Sequence, residues 1–382
     1  MDATIRKPLL ALHLWSGLVV GLLLVGLAIS GAILDWRPQI EPLLNPRLLV
    51  VAPAGPRQSL DTLVARARAA HPAAALDYVR YFSDATAPVL VRFSDKDFVH
   101  LNPYTGEVLG IRNRYGHFFG WLEGFHRFLM LDQKFGEPLI GSVALVFAFI
   151  CISGLALWVP ATRRALVAGL TFNRKLTGRP WTLNLHKTLG VYAALVLLVS
   201  ALTGAPQALD WIKRGLFVVS GSAKEAPPKT PARAVTVVAN FIGMETIARR
   251  VQSLVPGASD TLIHFPERGL VESFAIAADA PHPNARTYLW FDPASADAVR
   301  VTPYAQSATG SKLASWALSI HMGLVGGVFA QLLLFLGALA VPVLAWTGVA
   351  SYLRRRSRRS ANEPKLAPPP KPALKRHSSL ST

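Results

Sequence analysis

Cysteine is all but missing from this chain: Cys151 is the only one, and it lies inside an apolar run. An intrachain disulfide is excluded, and no thiolate set exists for an iron–sulfur cluster or a structural zinc. Charge is also scarce. Only 16% of the 382 residues are charged and 51% are hydrophobic, with a mean hydropathy of +0.34. A soluble domain carries about a quarter charged residues, so this balance describes a membrane protein. Acidic residues are the scarcer sign, 22 against 40 Lys and Arg. In a soluble protein such an excess would point to nucleic acid. Here the basic residues stand beside the ends of apolar runs: Arg6 and Lys7, then Arg163, Arg164, Arg174, Lys175 and Arg179, then "LRRRSRR" at 353–359. Topology and anionic lipid account for them, and no nucleic-acid partner is expected.

Four long hydrophobic runs are present, at about 12–34, 139–159, 188–209 and 328–352. Each reaches the roughly 20 residues needed to cross a hydrocarbon core of about 30 Å. The first exceeds the h-region of a signal peptide, and "GAILDWRP" offers no small-x-small cleavage site, so it reads as a retained anchor. The basic clusters put both termini in the cytoplasm and the two long polar segments outside. The expected division is a first transmembrane helix in 1–36 and an outer domain in 37–125. A pre-span segment and second helix fill 126–160, a cytoplasmic loop 161–185, and the third helix 186–211. A second outer domain (212–315), a pre-span segment with the fourth helix (316–353) and a basic, Pro-rich cytoplasmic tail (354–382), with disorder expected over 360–382, complete the chain.

The halves repeat each other. His13 aligns with His186, Gly17 with Gly190, Ala28 with Ala201 and Ser30-Gly31 with Thr203-Gly204, and both helices then reach Asp-Trp, Asp35-Trp36 and Asp210-Trp211. "GFHRFLMLD", with His126, resembles "SIHMGLVGG", with His321, and Ser153-Gly154 and Thr347-Gly348 follow at similar distances. In each polar segment a helical stretch precedes strand-like pieces with turn signals. The expected fold is therefore membrane α-helical: four transmembrane helices from a duplicated span–outer domain–span unit, with two small α+β outer domains. Parallel repeats place His13 with His186 at the cytoplasmic end and His126 with His321 at the outer end.

An imidazole near hydrocarbon is costly and usually faces the bundle interior with a partner. Two neutral imidazoles at one depth suit the axial positions of a haem iron, and a bis-histidine haem transfers electrons and leaves no site for oxygen. The Gly and Ala stripe behind His13 and His186 leaves clearance for a flat macrocycle. Plain alternatives stand beside this reading: the stripe is also what a helix-packing face looks like, and each histidine what an interfacial polar residue looks like. Zinc or copper suits the set less well, because no carboxylate or cysteine stands at ligand spacing. His71, His100, His264, His282 and His377 read as solvated residues. His117 lies nine residues before His126, and on one continuous helix it would face nearly the opposite way. Arg127 and Lys187, beside two of the ligands, are candidates to balance haem propionates. If helix runs unbroken from His126 to Trp158, it is roughly 50 Å long, which would hold the outer pair above the lipid.

"HLWSGLVVGLLLVGLAISG", "LHKTLGVYAALVLLVSALTG", "FHRFL" and "LNPYTGEVLG" together resemble the PepSY-associated transmembrane family over nearly the whole chain apart from the tail. The chain is most similar to members that act as bacterial inner-membrane ferric-siderophore reductases of the ferrioxamine type. That resemblance implies haem b, two per chain, with His13, His126, His186 and His321 as axial ligands. It also implies periplasmic PepSY-like domains and reduction of siderophore-bound Fe(III) to Fe(II). "FDPASADAV" replaces the usual Tyr-Thr-Gly turn and "SIHMG" lacks the arginine of "FHRFL", so the two outer domains need not do the same job.

Two other functions compete with a reductase: a non-enzymatic PepSY module that binds a periplasmic protein, and an iron-chelate transporter. The second is disfavoured because the spans carry no acidic residue deep inside and one obvious proline interruption, Pro342. No dinucleotide fingerprint follows a strand, and the 161–185 loop is too short for a nucleotide-binding domain. The electron donor is thus expected to be a quinol or a separate cytoplasmic reductase.

Overall fold

The computed structural model describes residues 2–223, 225–226, 228, 241–266 and 269–362, so His377 and the tail beyond 362 lie outside the described residues. The chain opens with helices α1 (Ala3–Asp35), α2 (Arg37–Leu44), α3 (Pro46–Leu49) and α4 (Leu60–Ala70). Strands β1 (Leu76–Phe82), β2 (Val89–Phe93), β3 (Asp97–Leu101) and β4 (Val108–Asn113) follow, then helices α5 (Phe118–Phe128), α6 (Gln133–Trp158) and α7 (Arg163–Leu170). The second half runs through α8 (Gly178–Ala208), α9 (Asp210–Val219) and α10 (Met244–Leu254). It continues with β5 (Asp260–His264), β6 (Val271–Ile276), β7 (Arg286–Phe291) and β8 (Ala298–Thr302), and closes with α11 (Thr309–His321) and α12 (Gly327–Asn362).

Helices α1, α6, α8 and α12 are long and apolar enough to cross a membrane, and the chain is a multi-pass membrane protein. Their ends follow ordinary capping chemistry. Asp2 accepts from the Thr4 amide at the start of α1, and Asp132 from the Lys134 amide at the start of α6. The fourth helix continues to Asn362, past the expected end of the span at 353.

The helix does not run unbroken from His126 to Trp158, so the length of roughly 50 Å does not apply. Helix α5 stops at Phe128, Leu129 and Met130 both take left-handed backbone angles (φ 55° and 57°), and α6 begins at Gln133. Two consecutive bulky residues in that region cost roughly 1–2 kcal/mol each, so packing must impose the turn. Met130 Sδ lies against Gly124 and the Phe128 carbonyl against Gly136, at positions where a Cβ would collide. The matching break between α11 and α12 uses glycine instead, Gly323 (φ 65°) and Gly326 (φ 90°). Both breaks fold a short histidine-bearing helix back onto a long one.

All eight strands form one antiparallel sheet in the order β4-β3-β2-β1-β5-β6-β7-β8. The two polar segments were expected as two small domains; they meet edge to edge through β1 and β5, from Tyr78 opposite His264 to Phe82 opposite Asp260. Pairing removes an exposed edge from each half-sheet. At the seam Arg80 donates from Nε to Asp260 Oδ1 at 2.9 Å. Helices α4 and α10 cover one face, and a single core runs under both, including Leu63, Val79, Val91 and Phe93 from one half and Met244, Ile247, Ile263 and Phe291 from the other.

Candidate functional site

Each of the four histidines seats its imidazole against a Ser-Gly or Thr-Gly pair on another helix. His13 of α1 meets Ser153-Gly154 of α6, with Nδ1 2.9 Å from Ser153 Oγ. His186 of α8 meets Thr347-Gly348 of α12, with Nδ1 2.9 Å from Thr347 Oγ1 and 3.1 Å from the Leu344 carbonyl. His126 of α5 reaches Ser30-Gly31 of α1, with Nδ1 3.0 Å from both Ser30 Oγ and the Leu27 carbonyl. His321, the last residue of α11, reaches Gly204 of α8 and places Nδ1 3.0 Å from the Ser200 carbonyl; Thr203 turns its hydroxyl to Val199 instead. The glycines make room for the rings. A Cβ would stand 3.0 Å from His126 Cε1 at Gly31, 2.7 Å from His321 Cε1 at Gly204 and 3.1 Å from His13 Cε1 at Gly154.

These contacts assign the tautomer. Ser30, Ser153 and Thr347 already donate their hydroxyl protons to carbonyls of their own helices, at Leu27, Ile150 and Val343. Their oxygens are therefore acceptors for the imidazole, as the carbonyls of Leu27, Leu344 and Ser200 must be. In all four neutral rings Nδ1 carries the proton and Nε2 keeps its lone pair. That is the arrangement found at metal-ligating histidines, where the second nitrogen is held by an outer partner.

The rings then pair across the halves. His13 and His186 have centroids 6.3 Å apart, and His126 and His321 6.2 Å apart. Two imidazoles bound to one metal from opposite sides, through bonds of about 2.0–2.1 Å, put their centroids about 6 Å apart. Among the described residues no third His, Cys, Asp or Glu joins either pair at ligand distance. A bare ion would lack ligands there, whereas a haem brings its own four nitrogens. Space beside the inner pair agrees: a Cβ on Gly17 or Gly21, one and two turns beyond His13, would meet no atom within 4 Å. The residues present fit a bis-histidine haem at each pair.

The backfolded helices correct the expected position of the His126–His321 pair along the bundle. His126 meets α1 at Ser30, seventeen residues beyond His13, or roughly 25 Å at 1.5 Å per residue. Ser30 is five residues short of the end of α1. The His126–His321 pair thus lies beside the sheet-proximal ends of the long helices, not beyond them. Between the pairs the bundle is apolar, packed by Leu24, Val143, Cys151, Ala193, Leu197, Ala340 and Val341.

Over the outer pair sits a charged cluster that sequence reasoning missed. Glu123, one turn before His126, accepts from Arg37 Nη1 (3.0 Å), Arg114 Nη2 (2.6 Å) and Arg127 Nη1 (3.3 Å). Burial pushes its carboxyl up, but the three guanidiniums outweigh that and hold it below the usual range. Glu41, only 6% exposed, joins Arg37 and Arg112. Arg127, expected near haem propionates, is paired with Glu123 and Glu137; Lys187 is exposed. His100 and His282 are buried rather than solvated. Burial and the nearby Arg112 push the His100 pKa down to about 4. His282 accepts at Nδ1 from the Asn284 amide, lies 2.9 Å from Ser319 Oγ, and meets the Tyr304 hydroxyl through Nε2 at 2.9 Å. Ser319 is two residues from His321, so this network anchors α11 to the sheet. His117 stands just before the helix that carries His126 and caps α5 by accepting from the Gly120 amide.

No curated protein matches the chain. The family pattern of the PepSY-associated TM region matches residues 10–355, which spans all four long helices and the sheet between them. The chain belongs to the PepSY-associated transmembrane family.

Proposed function

We propose that this protein is a di-haem reductase of the bacterial inner membrane that passes electrons to a ferric siderophore in the periplasm. The observation that carries the proposal is the pair of cross-half imidazole contacts, at 6.3 and 6.2 Å, with every Nδ1 already engaged. His13 and His186 hold the haem at the cytoplasmic side, and His126 and His321 the haem at the periplasmic side. A haem held by two imidazoles supplies a one-electron couple and no free coordination position. The two pairs sit at opposite ends of the same bundle, and the apolar side chains between them exclude water and mobile ions. With the termini and the basic clusters in the cytoplasm, the eight-stranded sheet faces the periplasm as two joined halves of a duplicated unit.

Release by reduction has a simple chemical basis. Hard oxygen ligands hold Fe(III) far better than Fe(II), so one electron weakens the chelate. The electron donor is a separate molecule, a membrane quinol or a cytoplasmic reductase.

The test is a visible spectrum of purified protein, oxidised and dithionite-reduced, with haem quantified per chain. The expected result is a bis-histidine haem spectrum with two haems, and loss of one haem in each of the His13/His186 and His126/His321 double-alanine variants. A colourless protein, or variants that keep the full haem content, would overturn the reading.

A further inference from the structure

The two imidazole pairs agree in separation and differ in orientation. The ring planes of His13 and His186 cross at 86°, whereas those of His126 and His321 are inclined at 40°. With centroids 6.3 and 6.2 Å apart, the difference lies in how the rings are turned.

Each ring is turned by its seat. A glycine bounds the Cε1 edge, at Gly154, Gly348, Gly31 and Gly204, and the acceptor for Nδ1 fixes the ring's rotation. All four seats follow one plan, a hydroxyl residue bonded to the carbonyl three positions before it: Ser153 with Ile150, Thr347 with Leu344, Ser30 with Leu27 and Thr203 with Ser200. For His13 and His186 both hydroxyls face the rings, Ser153 Oγ at 2.9 Å and Thr347 Oγ1 at 2.9 Å. In the other pair Ser30 Oγ faces His126 at 3.0 Å, but Thr203 gives its shorter bond to the Val199 carbonyl, and His321 Nδ1 donates to the Ser200 carbonyl at 3.0 Å. The duplicated plan is thus broken at one seat, in the pair whose planes are not crossed.

Ring orientation matters to an iron held between two imidazoles. Each neutral imidazole donates π density into the iron d orbital that stands perpendicular to its own ring plane. Crossed planes raise two such orbitals equally and leave them nearly degenerate; planes closer to parallel raise one above the other. In low-spin ferric iron the unpaired electron occupies this orbital set, so the magnetic anisotropy of the ferric state reports the angle between the rings.

We infer that the two haem sites are electronically unlike, and that Ser153 and Thr347 are the positioning residues that hold the His13 and His186 rings crossed. This assignment rests on the reductase reading and goes beyond it, since that reading makes the two sites equivalent. The ferric signal of the His13–His186 site is strongly anisotropic, dominated by a single low-field peak. That of the His126–His321 site is an ordinary, fully resolved rhombic signal.

The test is low-temperature electron paramagnetic resonance of the oxidised full-length protein, with haem quantified in the same sample. The natural chain should show both signals in equal spin amounts. Pairing His126→Ala with His321→Ala should leave only the strongly anisotropic signal, and pairing His13→Ala with His186→Ala only the rhombic one. If the first double variant does not fold, Gly204→Val, which displaces the His321 ring alone, takes its place. Ser153→Ala and Thr347→Val, measured at full haem occupancy, should move the anisotropic signal toward the rhombic form and leave the other unchanged. Ser153→Thr, which keeps the hydroxyl, should keep the shape. A merely structural role would lower the amount of haem without altering the shape of either signal. Two haems with signals of one shape, or with the assignment reversed, overturn the inference and leave the reductase reading standing. An anisotropic signal unmoved in both Ser153→Ala and Thr347→Val overturns the positioning role. A protein without haem overturns both readings.

Discussion

A Cβ on Gly204 would stand 2.7 Å from Cε1 of His321, so the imidazole fills space that any larger residue at 204 would claim. Gly31 makes the same room for His126 in the other half. Replacing Gly204 or Gly31 by valine should expel the outer imidazole and lower haem content toward one per chain. The signal of the inner pair should persist. Haem quantification with reduced-minus-oxidised spectra checks this, and full haem content in Gly204→Val would refute it.

Ser153 accepts the Nδ1 proton of His13. Outer partners of this kind are worth about 10–100-fold in metal affinity. Ser153→Ala should therefore weaken haem retention at the inner pair by about that factor and shift its reduction potential. Thr347→Val should do less, because the Leu344 carbonyl still accepts from His186. Haem titration of apo-protein and potentiometry read both effects.

Glu123 gathers three arginines one turn from His126. Removing its charge leaves Arg37 and Arg114 part-buried with weakened acceptors. Glu123→Gln should destabilise the protein by about 2 kcal/mol, in the range for hydrogen bonds to charged groups. Hydrogen exchange should rise first in α5. An unchanged melting temperature together with unchanged exchange in α5 would count against the clamp.

His100 gives an acid-sensitive contribution of known sign. Burial first, and Arg112 second, lower its pKa from 6.5 to about 4, so the folded state holds the neutral ring. The unfolded chain takes up a proton at higher pH than the folded one. Stability is then full above about pH 6.5 and falls as pH drops toward about 4, by on the order of 3 kcal/mol at most. His117, also lowered to about 4, works in the same direction. Melting temperatures across that window should fall less steeply for His100→Phe than for the natural chain.

The residues of the candidate site are legible in the amino-acid sequence, because a duplicated pattern repeats them at matching positions. His13, His126, His186 and His321 stand out as polar residues in apolar surroundings. The Ser-Gly and Thr-Gly pairs stand out as recurring dipeptides, though not as the seats of those histidines. That role joins residues 96 to 161 positions apart, and a helical repeat cannot reveal which neighbouring helix a side chain will meet.

Two features had no readable signal. Leu129 and Met130 are poor left-handed residues, and only packing of Phe128 and Met130 against Gly136 and Gly124 holds them there. His126 and His321 therefore sit beside the span ends and not beyond them. The seam between β1 and β5 is backbone pairing, which any two strands of suitable length can make; the Arg80–Asp260 contact marks it only once the strands are adjacent. Composition and periodicity are local properties, and they were enough for four spans, two half-sheets and four candidate ligands. Which imidazole faces which, and which two strands meet at the seam, depends on chain segments brought together by packing, and so belongs to the folded molecule alone.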